Sequence, residues 1–429
     1  MELQLVSLEF CEACRSVQTL HVRVVQHTSP SLWPPRQSHT TPDNHGPEVS
    51  ISSRVPAVQA FGLTWALPMD FLLKSSAIEL WAESGGLRLT WSSAAASLGS
   101  VIWPQQLKRL VFASDMSVKV ATWPASLQQL SFGDDFNQSI AEVVWSASLT
   151  QLSFGRKFNQ PVVGVVWPAS LQQLFFGSAF NQPIVGVAWS ASLKKLSFAH
   201  RFNQPIVEVV WPALLQKLSF GEYFNQPIIS VMWPTSLQQL SFGSGFNQPI
   251  VGVLWPASLQ QLSFGNRFNQ PIVEVVWPAS LQKLSFGSSF NQPIVGVVWP
   301  ASLQRLSFGS GFNQPIVGVL WPASLQQLSL GNRFNQPIVG VVWPASLQQL
   351  SIGAAFNQPI AEVAWPASLK QLSFGSAFNH PIAEVVWPAS LQQLSFGSEC
   401  SPVGSEFNQP EVVWPASLRR VTRDGDSLL

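Results

Sequence analysis

Few residues in this chain have types and spacings that suggest chemistry. Cys11 and Cys14 form a C-x-x-C pair with His21 and His27 downstream, which is the donor set of a tetrahedral zinc site. The cysteine-to-histidine interval is too short for a zinc finger, so the four are read as incidental residues of an N-terminal arm, and no metal is expected. His200 and His380 occur singly, with no acid or nucleophile recurring beside them. Glu142, Glu208, Glu274, Glu362 and Glu384 share one position of a repeated phrase. Only Glu362 and Glu384, one repeat apart, qualify for the roughly 5–10 Å separation of paired catalytic carboxylates. They are read as solvating charges. No phosphate-binding glycine loop, nucleophile elbow or dinucleotide turn is present. The expectation is no catalytic residue, no cofactor and a non-enzymatic chain.

What positions these residues is a repeat. Tryptophan recurs from Trp123 to Trp387 at twelve consecutive intervals of 22 residues, opening the phrase W-P-A-S-L-Q-Q-L-S-F-G-x-x-F-N-Q-P-I-V-x-V-V. A fixed period of this length marks one array of stacked units, whose core grows by addition of coils.

In the unit from Trp123, Leu127, Leu130 and Phe132 have L-x-x-L-x-F spacing. Leu130 and Phe132 are two apart, so in an extended chain both point inward, while Gln129 and Ser131 point outward. Gly133 ends this first strand. The run I-V-x-V-V-W is rich in β-branched residues and poor in helix formers, which predicts a second strand.

The expected fold is a β-rich repeat solenoid: right-handed coils of 22 residues, two short strands per coil, parallel sheets and low curvature. An asparagine occupies one turn position in each regular coil: Asn137, Asn159, Asn181, Asn203, Asn225, Asn247, Asn269, Asn291, Asn313, Asn335, Asn357 and Asn379. These are predicted to form a ladder of buried turn amides bonded to backbone groups, because leaving such groups unpaired costs about 1–3 kcal/mol.

Composition agrees with a large core. Hydrophobic residues are 46% of the 429, charged residues only 10%, and the net charge is +1. That balance argues against a nucleic-acid or anionic-membrane footprint. The third cysteine, Cys400, also lies outside the regular units, so no disulfide framework is expected. The N-terminus lacks a basic segment before an apolar one, and the expectation is a cytoplasmic monomer.

The segmentation read from the sequence is as follows. Residues 1–60 form a poorly ordered, partly proline-rich arm and linker, and residues 61–102 form degenerate capping repeats. Residues 103–424 form the solenoid, with an irregular coil at 387–413, and residues 425–429 form a tail.

The phrase P-x-S-L-x-x-L-x-F-G-x-x-F-N-Q-P-I resembles the FNIP repeat, a relative of the leucine-rich repeat, over residues 123–410. Tryptophan stands where that family usually has leucine before proline, which changes the core filler. The resemblance implies a protein-interaction role, often behind an F-box or kinase domain. No kinase signature is present, and the run from Leu67 to Leu73 is only a faint match to the start of an F-box.

The candidate protein-binding face is the outward side of the first strands: Gln129, Gln151, Phe175, Lys195, Lys217, Gln239, Gln261, Lys283, Arg305 and Gln327. Phe175, replacing a serine, is a candidate anchor. The reading is a scaffold for a protein partner. The alternatives are the substrate-recognition subunit of an F-box ubiquitin ligase and a rod that binds carbohydrate or ice.

Overall fold

In the computed structural model, the described residues are 20–22, 57–60, 63–66, 75–81, 86–91, 107–112, 118–119, 121–397, 412–423 and 426–427. They fall into two compact bodies, residues 1–200 and 201–429. Cys11, Cys14, His27 and Cys400 lie outside the described residues.

The first body contains β1 (Leu20–Val22), β2 (Ala57–Ala60), β3 (Leu63–Ala66), β4 (Ser75–Trp81), β5 (Gly86–Trp91), β6 (Arg109–Phe112), β7 (Gln129–Phe132), β8 (Gln151–Ser153), β9 (Gln173–Phe175) and β10 (Lys195–Ser197). β4 pairs antiparallel with both β1 and β5, and β2 with β3. From β5 onward every pairing is parallel, with Leu130 opposite Leu152, Leu174 and then Leu196 on successive strands. The antiparallel hairpin β4–β5 thus leads into the parallel ladder. Within the segment read as an arm, β1 and β2 are strands.

The second body contains β11 (Lys217–Ser219), β12 (Gln239–Ser241), β13 (Gln261–Ser263), β14 (Lys283–Ser285), β15 (Arg305–Ser307), β16 (Gln327–Ser329), β17 (Gln349–Ser351), β18 (Gln371–Ser373), β19 (Gln393–Phe396), β20 (Arg420–Arg423) and β21 (Asp426–Ser427). β11 to β20 pair in parallel, and β21 folds back antiparallel on β20. The irregular coil does not break the ladder: Leu394 faces Val421, and Trp387 stacks on Trp414 at 6.0 Å.

The predicted second strand is not there. Each regular coil has one short strand and three tight turns. In the coil from Trp211, Leu215 N–H donates to Pro212 O at 3.0 Å, Phe224 N–H to Gly221 O at 3.3 Å, and Val231 N–H to Ile228 O at 3.2 Å. The last turn consumes the I-V-x-V run. Its inward residues, Ile228 and Val231, are three apart, which is turn geometry and not strand alternation. Where the third turn residue is glycine it takes positive φ, as Gly252 does at 82°, the conformation a type II turn requires. β-branched content misled because those side chains were selected for burial and surface position around a turn. The loss of the second strand also removes the reason for expecting low curvature.

The core is a set of ladders. Phe224 and Phe246 stack at 6.1 Å, Phe220 and Phe242 at 5.7 Å, and Phe220 meets Phe224 within its own coil at 4.2 Å. Trp211 and Trp233 stack at 6.4 Å, and Trp211 meets Phe220 edge-on. Tryptophan is therefore core filler. From Trp145 to Trp387 each indole N–H is buried without an acceptor, so ring area and stacking, not a hydrogen bond, are what the residue contributes.

Coils approach closely at the residue that ends each strand, which is glycine in most coils and Ala199 after β10. A Cβ on Gly265 would collide with the backbone of Gly243 in the preceding coil. Gly265→Ala should therefore destabilise the protein by about 1–3 kcal/mol, because overpacked backbone has no flexible atom to move. Ser288→Ala, at an exposed loop tip, should change stability by less than ~0.5 kcal/mol. Urea unfolding midpoints of the two variants check the contrast.

Candidate functional site

The candidate face is built by the strand pattern. The leucine of each Q-L-S segment is buried and its two neighbours are half-buried or exposed. In the first body this brings Gln129, Gln151 and Lys195 into one column, with Phe175 in the adjacent serine column. In the second body Lys217, Gln239, Gln261, Lys283, Arg305 and Gln327 form one column in continuous register.

Phe175 is half-buried, and Lys195 Nζ lies 4.9 Å from its ring centroid as a cation–π contact. The serine column partly satisfies itself, with Ser153 Oγ donating to Ser131 Oγ at 2.8 Å and Ser373 to Ser351 at 3.1 Å. Along β14 to β19 the face forms an open trough of about 500 Å³, lined by Lys283, Arg305 and the following glutamines and serines.

In the second body the strand columns carry cations, while Arg201, Arg267 and Arg333 stand exposed at loop tips. Lys217, Lys283 and Arg305 lie on the strand face, Arg420 continues the column, and Lys370 and Arg419 sit one residue before their strands. No carboxylate occupies these columns in β11 to β20. Glu208, Glu274, Glu362 and Glu384 are exposed in the I-V-x-V turns, away from the strands, and Glu222 is at a loop tip. In the first body the loop-tip pair Lys157–Asp135 spans 2.6 Å. The hydrogen bond and charge of Lys157 hold the Asp135 carboxyl below its ordinary pKa range.

The asparagines form a bonded ladder, but on the surface. They are half-buried or exposed, not buried as predicted. Asn247 Oδ1 accepts from the backbone N–H of Asn269 at 2.9 Å and from Gln270 Nε2 at 3.1 Å, and Gln270 Nε2 also reaches Asn247 O at 3.0 Å. The turn amide therefore satisfies the next coil from outside the core, where the chain between Phe and Pro faces solvent. His380 takes the glutamine's place, with Nε2 3.2 Å from Asn357 O.

Sequence reading missed two features. The serine of W-P-A-S donates to the leucine carbonyl one coil back, as Ser258 does to Leu237 O at 2.7 Å. Its signal was its recurrence beside proline. The second feature is apolar: the residue before each tryptophan faces out, Val276 being 81% and Leu320 84% exposed. Glu362 and Glu384 are both exposed turn residues with no nucleophile or base beside them in sequence. Among the described residues, no group of three or more His, Cys, Asp or Glu side chains is placed to hold a metal ion.

The family model described as FNIP Repeat matches overlapping windows from residue 180 to residue 399, more than half the chain. No curated protein matches the chain by sequence. Among solved structures, the chain is similar to CroV588, described as a novel circular leucine-rich-repeat protein, with 42% identity and a TM-score of 0.68 over 76% of this chain and 51% of that one. The chain thus spans about half the length of that relative. It also resembles the Toll–Spatzle complex of Drosophila, with 11% identity and a TM-score of 0.57 over 81% of this chain and 56% of that one. That likeness concerns the fold alone.

Asn247→Ala removes the acceptor for a backbone N–H of the next coil. It should cost about 1–3 kcal/mol, the penalty for an unsatisfied partly buried donor, and Gln248→Ala should cost less. Guanidinium unfolding of the two variants measures the difference.

Proposed function

The chain belongs to the FNIP repeat family, and we propose that it is a non-enzymatic scaffold that holds an acidic, extended protein segment along its strand face. A leucine-rich-repeat-like solenoid is a fold typical of protein-interaction scaffolds. The observation that carries the rest is the uniformly positive charge of the strand face in the second body. The strand face bears Lys217, Lys283, Arg305, Lys370, Arg419 and Arg420 with no carboxylate among its columns, while the exposed glutamates stand on the turns behind it.

Such a face attracts acidic segments and rejects basic ones, which favours encounter and register more than raw affinity. The glutamines and serines between the cations offer donors and acceptors at each strand step, which suits a partner whose own polar groups are laid out along a chain. The trough from β14 to β19 gives that segment a seat.

The F-box alternative requires a helical module near residues 61–100, and the described residues between 57 and 91 are all in strands. The surface-lattice alternative gains nothing from a face whose charges are irregular from coil to coil.

Poly-L-glutamate serves as the probe. It should bind the wild type with an affinity that falls as salt rises. The triple variant K217E/K283E/R305E should bind at least about tenfold more weakly, which corresponds to about 1.4 kcal/mol, while poly-L-lysine shows no such loss. Equal binding of poly-L-glutamate by wild type and triple variant overturns the assignment.

A further inference from the structure

The loop tips that follow the strands form an edge that the proposed function does not use. Arg201, Arg267 and Arg333 stand exposed there, each three coils of 22 residues from the next. The stretch between Arg267 and Arg333 is clear of opposing charge. Glu222 occupies a tip before it, and Ala354 and Ala355 occupy the tip after it. Across the four coils the tips read Asn266-Arg267, Ser288-Ser289, Ser310-Gly311 and Asn332-Arg333, with no carboxylate and no large apolar side chain. Asn266, Ser288, Ser310 and Asn332 line an open groove of about 320 Å³, a volume near the lower end of the roughly 300–1,000 Å³ of ligand sites. The apolar residues beneath it, such as Phe286 and Phe308, are buried. The groove therefore presents hydroxyls, amides and glycine backbone.

The first body shows what the backbone donors of such a tip select. There the N–H of Arg156 donates to Asp134 Oδ1, a carboxylate at the same column one coil earlier, at 3.2 Å. In the groove the corresponding N–H groups belong to Ser288, Ser310 and Asn332, and the residues one coil earlier are Asn266, Ser288 and Ser310. Among the described residues, none of these three N–H groups has a protein acceptor.

We propose that the groove between Arg267 and Arg333 binds a linear acidic oligosaccharide, a chain of uronic acids laid along the array. The two guanidinium groups stand three strand spacings apart, about 14 Å at about 4.8 Å per coil. Each is a planar fork that takes a carboxylate with two hydrogen bonds, so they hold the two ends of the ligand. Between them the tip N–H groups donate to sugar carboxylates, as the N–H of Arg156 donates to Asp134. The hydroxyls of Ser288 and Ser310 and the amides of Asn266 and Asn332 pair with sugar hydroxyls, since each can donate and accept. A protein segment fits less well. It draws its affinity from aromatic anchors or side-chain pockets, and the groove has neither.

Calorimetric titration of the full chain with polygalacturonate tests the proposal. At about 0.15 M salt, where charges are screened beyond about 8 Å, the wild type should bind. The fully methyl-esterified polymer, which keeps the sugar backbone and lacks the charge, should bind at least about tenfold more weakly, or about 1.4 kcal/mol. R267Q/R333Q changes exposed side chains only, so it should keep the wild-type circular-dichroism spectrum and lose at least about tenfold in affinity. S288D/S310D puts carboxylates in the column of Asp134, where they take the tip N–H groups and repel the ligand, and should lose as much. S288N/S310N and the strand-face variant K217Q/K283Q/R305Q should both stay within about threefold of wild type. Four results overturn the proposal: no binding of polygalacturonate, equal binding of its methyl ester, equal affinity of R267Q/R333Q and wild type, or a loss in K217Q/K283Q/R305Q as large as that in R267Q/R333Q. Absent polygalacturonate binding together with poly-L-glutamate binding that R267Q/R333Q abolishes would make an acidic protein the occupant instead.

Discussion

Everything in this protein depends on successive coils lying one strand spacing apart, about 4.8 Å. At that distance a residue meets its equivalent 22 positions away before it meets anything else. Like therefore stacks on like, and each column of the repeat must tolerate itself. Phenylalanine and tryptophan do so by stacking, with ring centroids near 6 Å. Asparagine does so by accepting from the next asparagine's N–H, and serine by donating to a carbonyl one coil back. At the end of each strand the approach is so close that glycine is the usual residue, with Ala199 standing in the same place after β10. Charges strain the same rule: like charges opposite each other are destabilising, yet Lys283 stands directly opposite Arg305 on the strand face.

One strand per coil has a functional consequence. The strand side aligns backbone and side chains in straight columns, giving a flat polar face. The turn side has three corners, each of which throws a residue outward between two inward ones. Ile228 and Val231 are buried, whereas Ile229 is 47% and Met232 77% exposed. The two sides therefore differ in chemistry as well as shape: polar and cationic on the strands, apolar with scattered glutamates on the turns. A single repeated phrase yields two unlike surfaces, each suited to a different class of contact.

The array was legible because its evidence is arithmetic. Twelve equal tryptophan intervals and the L-x-x-L-x-F spacing are enough to place Leu130 inside and Gln129 outside. The candidate columns follow from the same alternation. What could not be read was the run after proline. Val and Ile favour strands in general, but here Gly252 at positive φ and the three-residue step from Ile250 to Val253 close a turn. The same step hid the exposed columns, since a run of apolar residues is naturally assigned to the core. The asparagine ladder was legible as a position but not as a depth, because its bonds run along the outside of the coil.

The register constraint is open to one direct measurement. Deleting residues 245–266 removes 22 residues, one whole coil, and joins Ser244 to Arg267 with the phrase intact. Deleting only residues 256–266 leaves half a coil. Far-UV circular dichroism and thermal unfolding of the full chain carrying each deletion decide the matter. The whole-coil deletion should keep the spectrum and a single cooperative transition, while the half-coil deletion should lose both. Equal tolerance of the two, or collapse on removal of a whole coil, would contradict the account.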